Sequence, residues 1–336
     1  MNAVVKPSRA EHLLRMLNSA LGSAVAELLR DEDVEEVRAN PNGALWAVKG
    51  GARRNTGVVL SPDERMRVIT IVADHVGEVV NAENPSFPAE LPETGYRFHA
   101  VIPPESPAGP TFVIRRKANR IFGLDDYVAR GTMTEAQRLA IVRAIEVRDN
   151  ILVAGGTASG KTTLTNAILK EIGRVTGRVL TIEDTLELRI EADEVIQLRT
   201  VRQGTDVRRS MQQLVRDSLR LTPDRIIVGE VRGPEVIDML DGWNTGHPGG
   251  VATIHANSAA EALERIEDLL VQGGYTPVPR KIARAINLIV AIGFETEASP
   301  DGQVACRKVR DILRVTGVTS TPTGHVYTFA PVVDTT

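Results

Sequence analysis

The run at residues 150–163, N-I-L-V-A-G-G-T-A-S-G-K-T-T, constrains what the rest of this chain can become. Ile151, Leu152, Val153 and Ala154 form a short apolar stretch, the pattern of a buried strand. The chain then turns through Gly155, Gly156 and Gly160 and continues with Leu164, Ala167, Ile168 and Leu169 at helical spacing. In the context of strand, glycine loop and helix, G-x-x-x-x-G-K-[ST] reads as a phosphate cradle. Gly155, Gly160, Lys161 and Thr162 fill that pattern without a mismatch. Backbone N–H groups at a helix N-terminus point at an anion, and the helix dipole favours negative charge there. Glycine lets the backbone approach closely and adopt positive φ. Gly155, Gly156, Thr157, Ala158, Ser159 and Gly160 would form the loop, and Lys161, Thr162 and Thr163 would open the helix. Lys161 would supply a point charge for β- and γ-phosphates, and the Thr162 hydroxyl a ligand for Mg²⁺. The competing reading, a glycine turn followed by a chance Lys-Thr, leaves the agreement of strand, motif and helix unexplained.

A chain of 336 residues exceeds one ordinary core, so two domains are expected. Residues 1–117 read as a small mixed α+β domain, residues 118–132 as a linker and residues 133–336 as the domain that carries the glycine loop. Aromatic residues make up only 4%, which leaves few stacking platforms for single-stranded nucleic acid. The formal net charge of −3 argues against a generally basic, DNA-wrapping surface. With Cys306 alone, no disulfide can form within the chain and no cysteine-based metal site can be built. A reducing cytoplasm fits. The first residues lack the apolar core of a signal peptide, and no stretch approaches the ~20 apolar residues of a membrane span.

Residues 8–30 carry Leu13, Leu14, Leu17, Leu21, Val25, Leu28 and Leu29 at helical spacing, with Ser8 as a candidate cap. The stripe reads as a core-packing helix, with a membrane-surface or partner role as the alternative. Strands broken by Asn-Gly and Gly-Gly turns follow over residues 34–59, then a helix that Ser61 caps and Pro62 opens. Residues 96–102 and 111–116 read as two further strands. From residue 134 onwards, helices and strands alternate: helices at 134–147, 206–221, 234–243 and 258–272, strands at 178–183, 225–230 and 250–255. Such alternation predicts a largely parallel sheet with helices on both faces. An antiparallel extension is expected after Asn287.

Two of these strands end in carboxylates. Residues 225–230, R-I-I-V-G-E, end at Glu230, with Gly229 where an Asp commonly holds Mg²⁺ in P-loop enzymes. Glu230 is therefore the candidate to orient or deprotonate an attacking water, the alternative being an ion pair with Arg232. The strand at 178–183 ends in Glu183 and Asp184, and Glu183 is the second candidate, supporting a Mg²⁺ shell through water. An exposed acidic loop is its alternative. Residues 246–257 place His247 and His255 eight positions apart, a spacing that matches no zinc motif. His255, at the strand's end, is a candidate sensor or hydrogen-bond donor, or a structural histidine.

Together these segments resemble the secretion ATPases of type IV secretion, conjugation, type II secretion and pilus systems, and within them the VirB11-like branch. In order they are similar to that family's Walker A loop (155–162), Asp box (181–188), glycine-containing Walker B (226–230) and His box (246–255). The resemblance implies a RecA-like P-loop NTPase domain preceded by a small α+β domain, ATP and Mg²⁺ as cofactors, and ATP hydrolysis. It also implies a homohexameric ring with nucleotide bound between the domains. The ring would sit at the cytoplasmic face of the inner membrane, with inner-membrane components of a secretion machine as partners; the low aromatic content and net negative charge argue against direct nucleic-acid binding. The family further uses N-terminal-domain arginines at the nucleotide; the matching positions are Arg97 and Arg115. A one-residue slip of strand register would exchange Arg115 with Arg116.

Overall fold

The computed structural model describes residues 9–92, 94–116, 121–175, 177–203, 206–299, 302–322 and 324–332. It divides into two compact units, Met1–Asn119 and Arg120–Thr336.

The first unit runs α1 (Arg9–Arg30), β1 (Val34–Ala39), β2 (Ala44–Lys49), β3 (Ala52–Val59), α2 (Pro62–Val76), β4 (Ser86–Glu90), β5 (Arg97–Val101) and β6 (Thr111–Arg115). Its antiparallel six-stranded sheet has the order β3-β2-β1-β6-β5-β4. Leu17, Leu21 and Val25 of α1 and Val68, Ile69 and Val72 of α2 bury one face of it, against Val37, Phe98, Phe112 and Ile114. The amphipathic stripe of α1 is thus a core face. Gly22, at φ 69°, kinks α1 midway. Ser8, the expected cap, and the side chains of Leu13 and Leu14 lie outside the described residues.

α2 begins as its sequence dictates. Ser61 Oγ accepts from Glu64 N at 3.2 Å, and Glu64 returns a carboxylate oxygen to Ser61 N at 2.7 Å. Ser61→Ala is expected to cost about 1 kcal/mol, read as a lower urea midpoint. The Ser61 N–H, and after it the serine hydroxyl, hold the Glu64 carboxyl below its ordinary value. The contribution of Glu64 is therefore in place at neutral pH and is lost as pH falls through the carboxylate range.

The second unit runs α3 (Leu124–Ala129), α4 (Glu135–Glu146), β7 (Ile151–Ala154), α5 (Lys161–Ile172), β8 (Arg178–Glu183), β9 (Glu194–Arg199), β10 (Val201–Gln203), β11 (Asp206–Arg209), α6 (Met211–Ser218), β12 (Arg225–Val231), α7 (Glu235–Asn244), β13 (Val251–Ile254), α8 (Glu261–Gln272), α9 (Pro279–Ala285), β14 (Leu288–Ser299), β15 (Gly302–Thr321) and β16 (Gly324–Pro331). Its eight-stranded sheet has the order β16-β15-β14-β7-β13-β12-β8-β9. β14, β7, β13, β12, β8 and β9 are mutually parallel, and β15 and β16 add antiparallel strands beyond β14. Successive residues of β7 serve opposite faces: Leu152 and Ala154 pack towards α6–α9, Ile151 and Val153 towards α3–α5.

Three sequence expectations are corrected. Residues 206–221 are not one helix: β10 and β11 pair as a ribbon, and α6 starts only after Ser210, whose Oγ accepts from Gln213 N at 3.2 Å. The edge strand β9 was not expected, because E-V-I-Q-L-R has no sustained apolar run and none of its residues is fully buried. Within the segment read as a linker, α3 forms and buries Leu124 and Tyr127 in the same cluster as Ile141 and Ile168.

Candidate functional site

β7 is buried at every position and delivers the glycine loop to the C-terminal edge of the parallel strands. At that edge Gly155 N donates to Ile254 O at the end of β13. A Cβ on Gly155 would stand 2.4 Å from Ile292 O and 2.5 Å from Ser159 Oγ, so only glycine fits. Ala158 (φ 59°) and Gly160 (φ 101°) are left-handed, a backbone conformation that recurs in anion-binding turns. α5 then starts with no side-chain cap at Gly160, leaving its first N–H groups to an outside acceptor. Lys161 Nζ arches back to the carbonyl oxygens of Gly155 and Gly156, at 2.8 and 2.9 Å. Ser159 Oγ is buried with no hydrogen-bond partner among the described residues. Thr157 and Ala158 are exposed at the loop tip, and Gly156, Thr162 and Thr163 are half-buried. An uncapped helix start, a cationic side chain over the loop and an orphaned buried hydroxyl together fit a phosphate group.

The same edge receives both candidate carboxylates. Ile182 of β8 is level with Val228 of β12, so Glu183 and Gly229 emerge side by side. Glu183 is only 3% exposed, and its Oε1 accepts from Glu187 N and Leu188 N at 2.8 Å each. Glu183 is thus a buried carboxylate that orders the following loop, rather than part of an exposed acidic turn. Asn166 of α5 fastens that loop from the other side: its Nδ2 donates to Glu187 O, and its Oδ1 accepts from Arg189 N. A Cβ at residue 229 would lie 2.9 Å from Glu183 Cγ. Glycine stands in the usual position of an Asp because Glu183 already occupies the space.

Glu230 is half-buried and accepts through Oε2 from both Nε (2.8 Å) and Nη2 of Arg232. Arg232 also reaches Asp184 Oδ2 at 3.7 Å, and Asp184 Oδ1 accepts from the Thr200 hydroxyl. Arg232 therefore links the two strand ends; sequence reading treated it only as an alternative partner for Glu230. Its signal was a cation two positions after a strand-terminal carboxylate. No group of three or more His, Cys, Asp or Glu residues able to hold a metal ion occurs among the described residues. A Mg²⁺ ion would suit this edge only with the Thr162 hydroxyl, substrate oxygens and water completing its octahedron.

The two histidines separate. His255 follows β13 directly and is exposed at the loop-bearing edge. His247 precedes β13, at the opposite end of the sheet, where its Nδ1 pairs with Pro223 O at 2.7 Å. Nearby, the Arg225 guanidinium, 3% exposed, donates to Gly249 O and Ile145 O. Burial first, and then the neighbouring Arg148, lower its affinity for its proton. This end of the sheet is a structural clamp.

In the first unit, Arg97 of β5 stands directly opposite Arg115 of β6, with Glu36 and Glu90 as the flanking cross-strand positions. Phe98 and Ile114, the neighbouring residues, point into the core, so the arginine pair occupies the other face. Like charges opposed in this way repel, and the carboxylates of Glu36 and Glu90 at the flanking positions offset that repulsion. Arg116 is committed elsewhere: its guanidinium donates to Asp31 O and lies 5.4 Å from the Tyr96 ring centroid.

No helix among the described residues is long and apolar enough to cross a membrane. Residues 32–323 match the family described as "Type II/IV secretion system protein". The chain is 43% identical over 305 residues to a probable conjugal transfer protein TrbB of Sinorhizobium fredii, covering 90% of each. It is 40% identical over 307 residues to the conjugal transfer protein TrbB of Rhizobium radiobacter, covering 91% of each. Among solved structures, the pilus retraction motor PilT with bound ADP aligns with TM-score 0.60 at 19% identity, over 87% of this chain and 82% of that one. The Legionella pneumophila ATPase DotB aligns with TM-score 0.59 at 21% identity, over 93% and 83%. These two likenesses concern the fold alone: a RecA-like α/β unit preceded by a small α+β unit.

Proposed function

Because this chain belongs to the type II/IV secretion system protein family, we propose that it is an ATP hydrolase of a conjugal transfer, or type IV secretion, machine. It works as a hexameric ring at the cytoplasmic face of the inner membrane, docked on membrane components of that machine. The observation that supports the catalytic reading is a shared edge: the glycine loop with Lys161, Glu183 and Glu230 all lie at the C-terminal ends of neighbouring parallel strands.

In this reading the loop N–H groups and Lys161 hold the β- and γ-phosphates. The Thr162 hydroxyl would ligate Mg²⁺, which supplies neutralisation of phosphate charge when bound. Glu230 orients the attacking water and takes its proton. Glu183, besides fixing the loop after it, would support the metal through its water shell. His255 is the candidate hydrogen-bond donor to the γ-phosphate, and Arg97 and Arg115 are the candidate charge stabilisers that the family resemblance suggests.

The test is ATP hydrolysis against protein concentration, with particle size followed by light scattering and Glu230→Gln run alongside. Activity should rise with hexamer formation. Glu230→Gln should still bind nucleotide while turnover falls about 10²–10⁴-fold, the usual worth of a positioned base. Full activity in a monomer would remove the ring as catalytic unit, and full activity in Glu230→Gln would remove Glu230 from the chemistry. The hold of Arg232 on Glu230 favours one second reading, an assembly factor whose bound ATP sets ring shape with little turnover. Very slow basal hydrolysis with a large nucleotide-dependent scattering change would select it.

A further inference from the structure

β12 does not run straight past β13. Val228 is level with Ala252 and Val231 with Ile254, so Gly229 and Glu230 together oppose the single residue Thr253. This two-against-one pairing is a β-bulge, a device that re-aims side chains and is frequent beside active sites. The burial pattern records its consequence. Val228 and Val231, three positions apart, both pack into the cluster with Val236, Met239 and Leu263, whereas Ile227 packs into the opposite cluster. In an unbulged strand, residues three apart face opposite sides. Glu230, two positions after Val228, would then be turned towards the apolar cluster and Val231 away from it. With the bulge, Val231 fills that place and the Glu230 carboxylate stands with Arg232.

Something must hold the bulge. The carbonyl of Gly229 is drawn to the Thr253 hydroxyl, which donates to it at 2.7 Å. Thr253 is 2% exposed, so no bulk water can replace that bond. Residue 229 must also lack a Cβ because of Glu183. We infer that Thr253 is a positioning residue for Glu230: its buried hydroxyl fixes the Gly229–Glu230 bulge and thereby aims the carboxylate at the phosphate edge. The inference rests on the reading of Glu230 as the residue that activates water.

Thr253→Val keeps the shape of the side chain and removes only the donor. It is expected to lower kcat for ATP about tenfold, the rate equivalent of one lost buried hydrogen bond. KM for ATP and the binding of a fluorescent ATP analogue should not change. Thr253→Ser, which restores the hydroxyl, should restore the rate. A crystal structure of Thr253→Val should show the Gly229 carbonyl turned from residue 253 and Glu230 displaced. Should the Thr253→Val protein fail to fold, Thr253→Ala makes the same comparison against Thr253→Ser. Wild-type kcat in Thr253→Val while Glu230→Gln is inactive would overturn the positioning role and leave Glu230 in place. A parallel loss of rate, nucleotide binding and melting temperature in both Thr253→Val and Thr253→Ser would overturn it in favour of a packing role. Full turnover in Glu230→Gln would sink the underlying reading instead, and an unchanged bulge in the Thr253→Val crystal would sink the structural half.

Discussion

Replacing Lys161 with Ala is expected to lower ATP hydrolysis by about 10³-fold, because one fixed donor at developing charge is worth about 10²–10³ and this one also carries a formal charge. Its Nζ now rests on the Gly155 and Gly156 carbonyl oxygens, so the ammonium is already held over the loop. A phosphate entering the loop would gain a cation that needs no large movement. Truncation to Ala leaves the two carbonyls to water at a half-buried position, which limits the stability cost to about 1 kcal/mol. Melting should therefore barely change while turnover collapses and ATP binding weakens. Lys161→Arg is expected to fail as well: the planar guanidinium is larger and cannot reproduce a point charge seated between two carbonyls. Steady-state hydrolysis, nucleotide binding and thermal melting of the three proteins distinguish these effects. Undiminished turnover in Lys161→Ala would mean that the loop does not cradle the reacting phosphates.

The loop was legible because its requirements are local. Only glycine fits at residue 155, residue 160 is left-handed, and the apolar run before them has nowhere to go but a sheet interior. The cap at Ser61 was legible for the same reason, since it is written within four residues. What escaped depends on partners distant in sequence. β9 is an edge strand whose hydrogen bonds to β8 hold it in the sheet, while none of its side chains is fully buried and its sequence has no sustained apolar run. His247 had no role legible in sequence; the four residues of β13 separate it from His255, and at the opposite end of the sheet it pairs with Pro223 O. The choice between Arg115 and Arg116 was open in sequence; strand register puts Arg115 opposite Arg97, and Asp31 and Tyr96 engage Arg116. The bulge at Gly229 and Glu230 has no local signature, because its cause is a hydroxyl on another strand.

The substitution that would bring the chain closest to a common P-loop pattern, Gly229→Asp, is expected to damage it. In sequence the glycine looks like a missing Mg²⁺ ligand. In the structure a Cβ there would meet Glu183 Cγ at 2.9 Å and Ile182 O at 3.4 Å. Glu183 cannot swing aside without cost: its Oε1 holds Glu187 N and Leu188 N, and Asn166 pins the same loop to α5. Overpacking of this kind costs about 1–3 kcal/mol. For a unit of this size that lowers the melting midpoint by roughly 5 °C. A second carboxylate beside one that is 3% exposed adds like-charge repulsion and pushes one of the pair towards its protonated form. Turnover should fall about 10²-fold, the scale of loss when a reacting group is misplaced by about 1 Å. Gly229→Ala separates the terms: it carries the steric cost without the charge and should lose stability with a smaller loss of rate. The exchange Gly229→Asp with Glu183→Gly removes both clash and repulsion and should recover part of the melting temperature, the lost bonds to Glu187 N and Leu188 N and the glycine within β8 limiting the gain. A Gly229→Asp protein as stable and as active as the original would show that Glu183 does not occupy the space beside residue 229, and with it would fall the account of why this strand carries glycine there.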